Sequence, residues 1–148
     1  MGVLIIQSTL MKKYLILALA LYFSAVAFAK PVIPAGVKSS LMKLYPNVHS
    51  VKWDAEGKDF EASFSVNKVK NSVLFDAAGT VIETEAAIPK NSLPAEAIAY
   101  VTKHYGTKNL KDAAKITDAK GVVIFEAGVK AKDILFDANG NFLREVKG

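Results

Sequence analysis

Cysteine is absent from the 148 residues of this chain. Its absence excludes disulfides, thiolate catalysis, zinc sites with thiolate ligands and a lipid anchor on cysteine. The fold must therefore be held by packing alone. Nucleotide chemistry is not indicated either, because no Walker, Rossmann or other phosphate-cradling glycine pattern occurs.

Catalytic groups are also scarce, since the chain has two histidines. His49 lies at the predicted start of a strand, and His104 lies near a predicted helix end, where an imidazolium is favoured by the helix dipole. No spacing supplies either one with further metal ligands. Ser63 and Ser65 lie on the polar side of a predicted strand, and no motif places a histidine beside them. We therefore predict that the protein is not an enzyme and has no catalytic, cofactor-binding or metal site.

A long apolar run occurs once, at residues 14–28. It follows two lysines and ends in a small-x-small sequence that closes at Ala29. This pattern predicts a secretory signal peptide over residues 1–29. Met11 gives the better start for such a signal, because the residues before it carry no positive charge. We expect an exported protein, periplasmic or secreted, that is not held in the membrane after cleavage.

The remaining residues, 30–148, carry a formal net charge of +3, because cleavage takes two lysines from the +5 of the whole chain. Their lysines are scattered and form no cluster with arginine, which is typical of a solvated surface and not of a nucleic-acid footprint. A segment of this length buries roughly two-thirds of its unfolded surface, enough for one hydrophobic core. We predict one domain without a nucleic-acid partner.

A six-residue phrase organises that domain and occurs twice, as Leu-Phe-Asp-Ala-Ala-Gly at residues 74–79 and Leu-Phe-Asp-Ala-Asn-Gly at residues 135–140. Each phrase reads as a strand end followed by a hairpin turn, with the aspartate first and the glycine fourth. The predicted structural turn residues are Asp76, Gly79, Asp137 and Gly140. A calcium loop is not indicated, because its sixth position requires glycine and holds no glycine here.

The segments before each phrase also correspond. Ile33-Pro34-Ala35 opens an amphipathic helix, and Leu93-Pro94-Ala95 opens another at an offset of 60 residues. Residues 60–66 alternate strictly between apolar and polar side chains, which predicts a strand with one dry face, and residues 125–127 match its beginning. The short strand before it is predicted at residues 48–53, and residues 86–92 are predicted as a linker.

These patterns predict an α+β fold of two tandem units, residues 33–85 and 93–146, each with one helix and about four antiparallel strands. Two units of about 55 residues are marginal alone. We therefore expect them to join edge to edge into one sheet, with both helices on one face and the opposite face open. Phe64 and Phe125 should point toward the helices.

The combined motifs resemble the PepSY-like family of small exported bacterial proteins, also described as β-lactamase-inhibitor-like. The resemblance rests on Ile/Leu-Pro-Ala, Val51-Lys52-Trp53, the Phe-Glu-Ala at residues 60–62 and Leu-Phe-Asp-Ala-x-Gly, and it covers nearly all of residues 30–148. It implies the architecture of the secreted β-lactamase inhibitor protein, and it does not imply inhibition. The second unit departs from the motif, because Ile116 stands at the tryptophan position and Gly106 replaces the proline.

The open face is the predicted protein-binding face. If the phenylalanines of the repeated phrase point toward the helices, alternation sends Leu74 and Leu135 to the open side. They would form an apolar stripe there, unless lysine stems cover them as isolated leucines. Trp53 is expected in the core, but it would join the stripe as an aromatic anchor if it faced outward.

We therefore predict an exported, non-enzymatic binding or inhibitor-like module that presents its open sheet face to an extracytoplasmic protein. The alternative belongs to another class: a carrier of a small apolar or peptide ligand in the cell envelope. A carrier would need a deep pocket between the helices and the sheet.

Overall fold

The computed structural model describes residues 30–147, which form two helices and eight strands. The predicted signal peptide lies outside the described residues. No helix within residues 30–147 is long and apolar enough to cross a bilayer. The elements in chain order are α1 (Ala35–Leu44), β1 (Lys52–Glu56), β2 (Asp59–Val66), β3 (Val69–Phe75), β4 (Val81–Ala87), α2 (Ala95–Tyr105), β5 (Leu110–Asp118), β6 (Val123–Val129), β7 (Lys132–Asp137) and β8 (Phe142–Lys147), with 3-10 turns at Lys90–Ser92 and Thr107–Asn109.

The eight strands form one sheet in chain order, and every neighbouring pair is antiparallel. Each strand therefore pairs with the strands that precede and follow it in the sequence. The predicted α+β class and the single sheet are confirmed.

The first hydrophobic core lies between α1 and strands β1 to β4. Pro34 precedes α1 with φ −55°, so its ring already holds the backbone in the geometry of a helix start. Val37 and Leu41 lie one turn apart on the buried side of α1 and are 0% and 1% exposed. They share a cluster with Phe64 and Phe75 of the sheet. The predicted direction of Phe64, toward the helix, is confirmed.

The second core repeats this packing between α2 and strands β5 to β8. Ala97 and Val101 face the sheet and cluster with Ile134 and Phe136. Phe125 is half-buried against the same cluster, so its predicted direction is confirmed as well.

Both helices lie on the same side of the sheet. Val73, in the first core, pairs with Thr84 of β4, and Thr84 pairs with Thr117 of β5. Ala113 lies four residues before Thr117 on the same strand, so it shares that face, and it belongs to the second core. The helices therefore cover one face and leave the other open.

The junction of the two halves differs from the sequence-based expectation. Residues 86–92 were predicted as a linker, but Ala86 and Ala87 extend β4 and pair with Lys115 and Ala114. The ladder continues here because two small side chains fit at the centre of the sheet, where a following strand is available. The connection to α2 is accordingly shorter than predicted.

The strand predicted at residues 48–53 is also shifted, because β1 runs from Lys52 to Glu56. Val48 is 9% exposed and belongs to the first core, so the segment before β1 packs under α1 without pairing. The hairpin to β2 closes with Gly57 at φ +65° and pairs Glu56 with Asp59.

The turns of the repeated phrase have the expected geometry. The Asp76 carboxylate accepts hydrogen bonds from the backbone amides of Ala78 and Thr80 at 2.9 and 2.8 Å, and Asp137 accepts the equivalent pair at 2.9 Å each. Gly79 and Gly140 have φ of +87° and +88°. These bonds stabilise the carboxylate form and lower the pKa of both aspartates.

The sequence analysis missed a third turn of this type between β5 and β6. Asp118 accepts hydrogen bonds from the amides of Lys120 and Val122 at 2.8 and 2.9 Å, and Gly121 has φ +81°. The Asp-Ala-x-Gly signal was present in the sequence at residues 118–121. It lacks the preceding Leu-Phe, and for that reason it was not recognised.

Candidate protein-binding face

The open face is the side of the sheet away from both helices, and strand register defines its members. Glu61 pairs with Leu74, and Leu74 pairs with Glu83, so these three side chains share that face. The same reasoning continues through β5, β6 and β7. The open face thus carries the carboxylates of Asp54, Glu56, Asp59, Glu61, Glu83, Glu85, Asp118, Glu126, Asp133 and Asp137.

Asp112 adds an eleventh carboxylate to this face. It pairs with Gly128 of β6, and its side chain folds over that glycine into the space that a Cβ would occupy. Gly128 in turn pairs with Asp133 of β7. The missing side chain at Gly128 therefore gives the Asp112 carboxylate its place near Asp133.

Leu74 and Leu135 lie on the open side, as their positions in the strands predict, but they are 2% and 3% exposed. Leu135 packs with Ile116 and Ile124 in a small cluster separate from both cores. The expectation of an exposed apolar stripe is therefore wrong, because these leucines are covered by their neighbours. Their part in binding a protein stays a prediction.

Trp53 lies on the helix side of the sheet. It pairs with Ala62, a fully buried residue of the first core, and its ring centroid is 6.4 Å from that of Phe75. It is half-buried in the packing under α1. Trp53 is thus part of the core, as the sequence favoured, and it adds no anchor to the open face.

Burial of carboxylates on the open face raises their pKa values. Desolvation is the largest cause for Glu83, whose pKa rises to about 8, for Glu126, which rises to about 8, and for Glu85, which rises to about 7. Charge repulsion adds to it, because every charged group that acts on Glu85 and Glu126 is another carboxylate. Arg144 opposes the rise at Glu83 but does not outweigh it.

A cavity of about 1210 Å³ lies along this face. Serines of β2 and β3 line one part of it, and carboxylates of β1, β2 and β4 to β7 line another. Lys52, Lys70 and His49 lie at the β1 to β3 end. We call this cavity the acidic trough, and its acidic lining consists of Asp54, Glu61, Glu85, Asp112, Glu126 and Asp133.

The two histidines lie in different surroundings. His49 lines the trough, whereas His104 stacks on Tyr100 of α2 with ring centroids 4.2 Å apart. No group of three or more histidine, aspartate or glutamate side chains among residues 30–147 is arranged to hold a metal ion. The lining of the trough combines carboxylates and serine hydroxyls with the cations Lys52 and Lys70 and with apolar groups such as Val51.

The sequence analysis missed the acidic character of the open face. The signal was present in the alternation of Val81-Ile82-Glu83-Thr84-Glu85 and in the Glu126 of Phe-Glu-Ala. The alternation of side chains along a strand, which placed Leu74 on the open side, also places these glutamates there. What the sequence could not give was the register that gathers carboxylates from six strands.

Comparison with known proteins supports the fold. No protein-family model matches this chain, and no curated protein is similar to it in sequence. Among solved structures, a protein from Bacteroides eggerthii described as periplasmic superposes with a TM-score of 0.70 at 18% identity, over 79% of this chain and 90% of its own.

Two further structures agree. A DUF2874 family protein from Bacteroides uniformis gives a TM-score of 0.63 at 21% identity over 77% of this chain and 88% of its own. A BLIP-like protein from Bacteroides fragilis gives a TM-score of 0.60 at 22% identity, over 82% of this chain and 89% of its own. At these identities the likeness concerns the fold. The chain has the α+β fold of BLIP-like proteins, an eight-stranded antiparallel sheet with two helices.

Proposed function

We propose that this protein is an exported, non-enzymatic binding module that presents its open sheet face to an extracytoplasmic protein. The observation that supports this proposal is the contrast between the two faces. The helix face is closed by α1 and α2 over two apolar cores, whereas the open face bears a trough of about 1210 Å³. A surface of this size suits a protein segment, since small-molecule pockets measure roughly 300 to 1,000 Å³.

The alternative of an apolar-ligand carrier is less well supported. Such a carrier needs a pocket between the helices and the sheet, and that space is filled by the side chains of the two cores. The trough lies on the other face, and serines and carboxylates line much of it. An apolar ligand would leave those polar groups without partners.

Export and origin are parts of the same proposal. The signal-like sequence at residues 1–29 and the periplasmic description of the Bacteroides eggerthii structure both favour a protein of the cell envelope. The repeated Asp-capped turns, each placed against the helix of its own half, favour two tandem units of common origin. The PepSY-like resemblance belongs with this interpretation.

Site-specific crosslinking tests the binding face. The protein has no cysteine, so a single introduced cysteine can carry a photoreactive group without competing thiols. Ser65 is exposed on the open side of β2, and Ser39 is exposed on α1. In an intact cell envelope, Ser65→Cys is expected to crosslink a defined protein partner, and Ser39→Cys is expected to give no crosslink to that partner.

The comparison is matched, because both variants replace an exposed serine by the same labelled cysteine. Circular dichroism of the two proteins checks that both remain folded. Equal crosslinking from both positions, or crosslinking from Ser39→Cys alone, would remove the open face as the binding surface.

A further inference from the structure

The open face has the opposite charge to the protein as a whole. The chain has a formal net charge of +5, yet register places eleven carboxylates on this face or at its edge. Register places three cationic side chains there as well, those of Lys52, Lys70 and Arg144. Lys52 is already paired with Asp54 at 2.8 Å. Most of the positive charge therefore lies elsewhere on the molecule.

Glu83 is the least exposed of the three glutamates Glu83, Glu85 and Glu126, although Arg144 acts on it favourably. It is 5% exposed, and its strand neighbours on the open side are Leu74 and Asp118, an apolar group and another carboxylate. The ion pairs Lys52–Asp54 and Lys132–Glu145 engage other carboxylates, and no hydrogen bond to the Glu83 side chain is found among residues 30–147. A buried carboxyl group that lies mainly beside other carboxylates is costly, so its retention points to a cation supplied from outside.

Two other glutamates of the open face also indicate a cation supplied from outside. Glu85 and Glu126 are half-buried and are acted on by carboxylates alone. Charged groups from every strand face this set: Lys52 and Asp54 of β1, Glu61 of β2, Lys70 of β3, Asp112 and Asp118 of β5, Asp133 of β7 and Arg144 of β8, with His49 at the end of the trough.

We propose that the open face is a receptor for a basic protein segment, whose lysine or arginine side chains lie against Glu85 and Glu126 in the acidic trough and against Glu83 beside it. This inference rests on the proposed function and names the chemistry of its partner. Charge complementarity carries it, because a cation near these groups replaces repulsion by attraction. The serines Ser63, Ser65 and Ser72 line the same trough and can hydrogen-bond the backbone of the segment.

A metal ion does not fit these observations, because no three ligating side chains among residues 30–147 converge on one point. A single small cation would also leave most of the trough unfilled. A segment that presents several cationic side chains on one backbone matches both the spread of the carboxylates over several strands and the size of the trough.

Titration calorimetry with a hexalysine peptide, capped at both ends, tests the proposal on the purified protein. Binding is expected at pH 7.5 in about 0.02 M salt and should weaken by more than about tenfold in about 0.3 M salt, as charges are screened. Since the carboxylates are partly protonated at this pH, a bound cation should also expel protons. Proton release appears as a dependence of the measured heat on the ionisation enthalpy of the buffer.

The decisive comparison uses two double variants that remove the same number of charges. Glu85→Gln/Glu126→Gln alters the trough and should weaken hexalysine binding by about tenfold and reduce the proton release. Glu96→Gln/Glu145→Gln alters the helix side and should change the affinity less than about twofold. Equal affinities for both double variants, or the absence of binding to the native protein, would overturn the proposal.

Titrations with two further ligands, spermidine and hexaglutamate, distinguish a protein segment from other binding partners. Spermidine bound as tightly as hexalysine would overturn the protein-segment assignment in favour of a free polyamine, and binding of hexaglutamate would overturn charge complementarity. A partner crosslinked through Ser65→Cys while hexalysine fails to bind would leave the proposed function standing and refute its basic partner. Hexalysine binding without any crosslinked protein would refute the proposed function instead.

Discussion

At the scale of single residues, Gly79 and Gly140 combine two requirements. Both have φ near +88°, and a Cβ on either would approach the backbone of the helix in its own half. At Gly79 the Cβ would lie 2.9 Å from the carbonyl oxygen of Gly36, and at Gly140 it would lie 2.9 Å from the amide nitrogen of Ala97. These turns therefore help to seat the helices on the sheet.

Gly79→Ala should accordingly lower the free energy of unfolding by about 3 kcal/mol, because strain at positive φ adds to overpacking against α1. Gly57 is the matched control, since its φ is +65° and nothing lies within 4 Å of its Cβ position. Gly57→Ala should cost about 1 kcal/mol from φ alone. Urea denaturation of both variants measures the difference, and equal losses would refute the seating role.

The sequence could predict the conformation of these turns but not their contacts. Asp at the first position and Gly at the fourth indicate a turn by local chemistry alone, and that information lies within four residues. The approach of Gly79 to α1 depends on Gly36, more than forty positions earlier, which no local pattern contains. The same limit applies to Gly140 and α2.

At the scale of elements, the open side of β5 to β7 has apolar packing of its own. Leu135, Ile116 and Ile124 are 3 to 4% exposed on the side that alternation predicted to be wet. Period-two alternation assigns side chains to faces correctly here. It fails to give exposure, because the coverage of a face depends on its curvature and on the bulk of its neighbours.

Leu135→Ala should therefore lower the free energy of unfolding by about 2 to 4 kcal/mol, the usual range for a buried leucine. Leu143 of β8 is the matched control, because it is 43% exposed and Leu143→Ala removes the same atoms. That substitution should cost less than about 1 kcal/mol. If thermal or urea unfolding gave the two variants the same stability, the cluster on the open side would not contribute to folding.

Element boundaries depended on partners that the sequence did not reveal. The alternation at residues 60–66 predicted β2 well, because its signal is strong and complete within the strand. Ala86 and Ala87 carry no such signal, and they became strand because β5 offers a ladder at that position. The residues before β1 were predicted as strand but do not pair. Val48 packs in the first core instead.

At the scale of the whole molecule, the acidic face makes stability depend on pH. A carboxyl group whose pKa is higher in the folded state binds protons more tightly there than in the unfolded chain. Such a group destabilises the folded state least below its unfolded pKa of about 4.5. The free energy of unfolding then falls as the pH rises through the folded pKa. Glu83, Glu85 and Glu126 place that loss between about pH 4.5 and about pH 8.

Other carboxylates act in the opposite direction at lower pH. Hydrogen bonds lower the pKa values of Asp76 and Asp137, and those of Tyr105 and Lys132 lower the pKa of Glu145. Their contribution is present above the unfolded pKa and is lost as pH falls through the folded values. The pH range in which the buried glutamates destabilise the fold scarcely overlaps the range in which these carboxylates lose their contribution. The protein should therefore be most stable near pH 5.

The measurement is a series of urea denaturations from pH 5 to pH 8.5. Each unit of raised pKa corresponds to about 1.4 kcal/mol, and since the three glutamates share their repulsion we expect a combined loss on the order of 3 kcal/mol across this range. Glu85→Gln/Glu126→Gln removes two of the buried charges while keeping the side-chain shape, so it should at least halve the loss and be more stable than the native protein at pH 8.5. Glu96→Gln/Glu145→Gln should retain the native slope over the same range. A native protein whose stability were flat or rising between pH 5 and pH 8.5 would show that these glutamates are solvated, and the case for an uncompensated acidic face would fail with it.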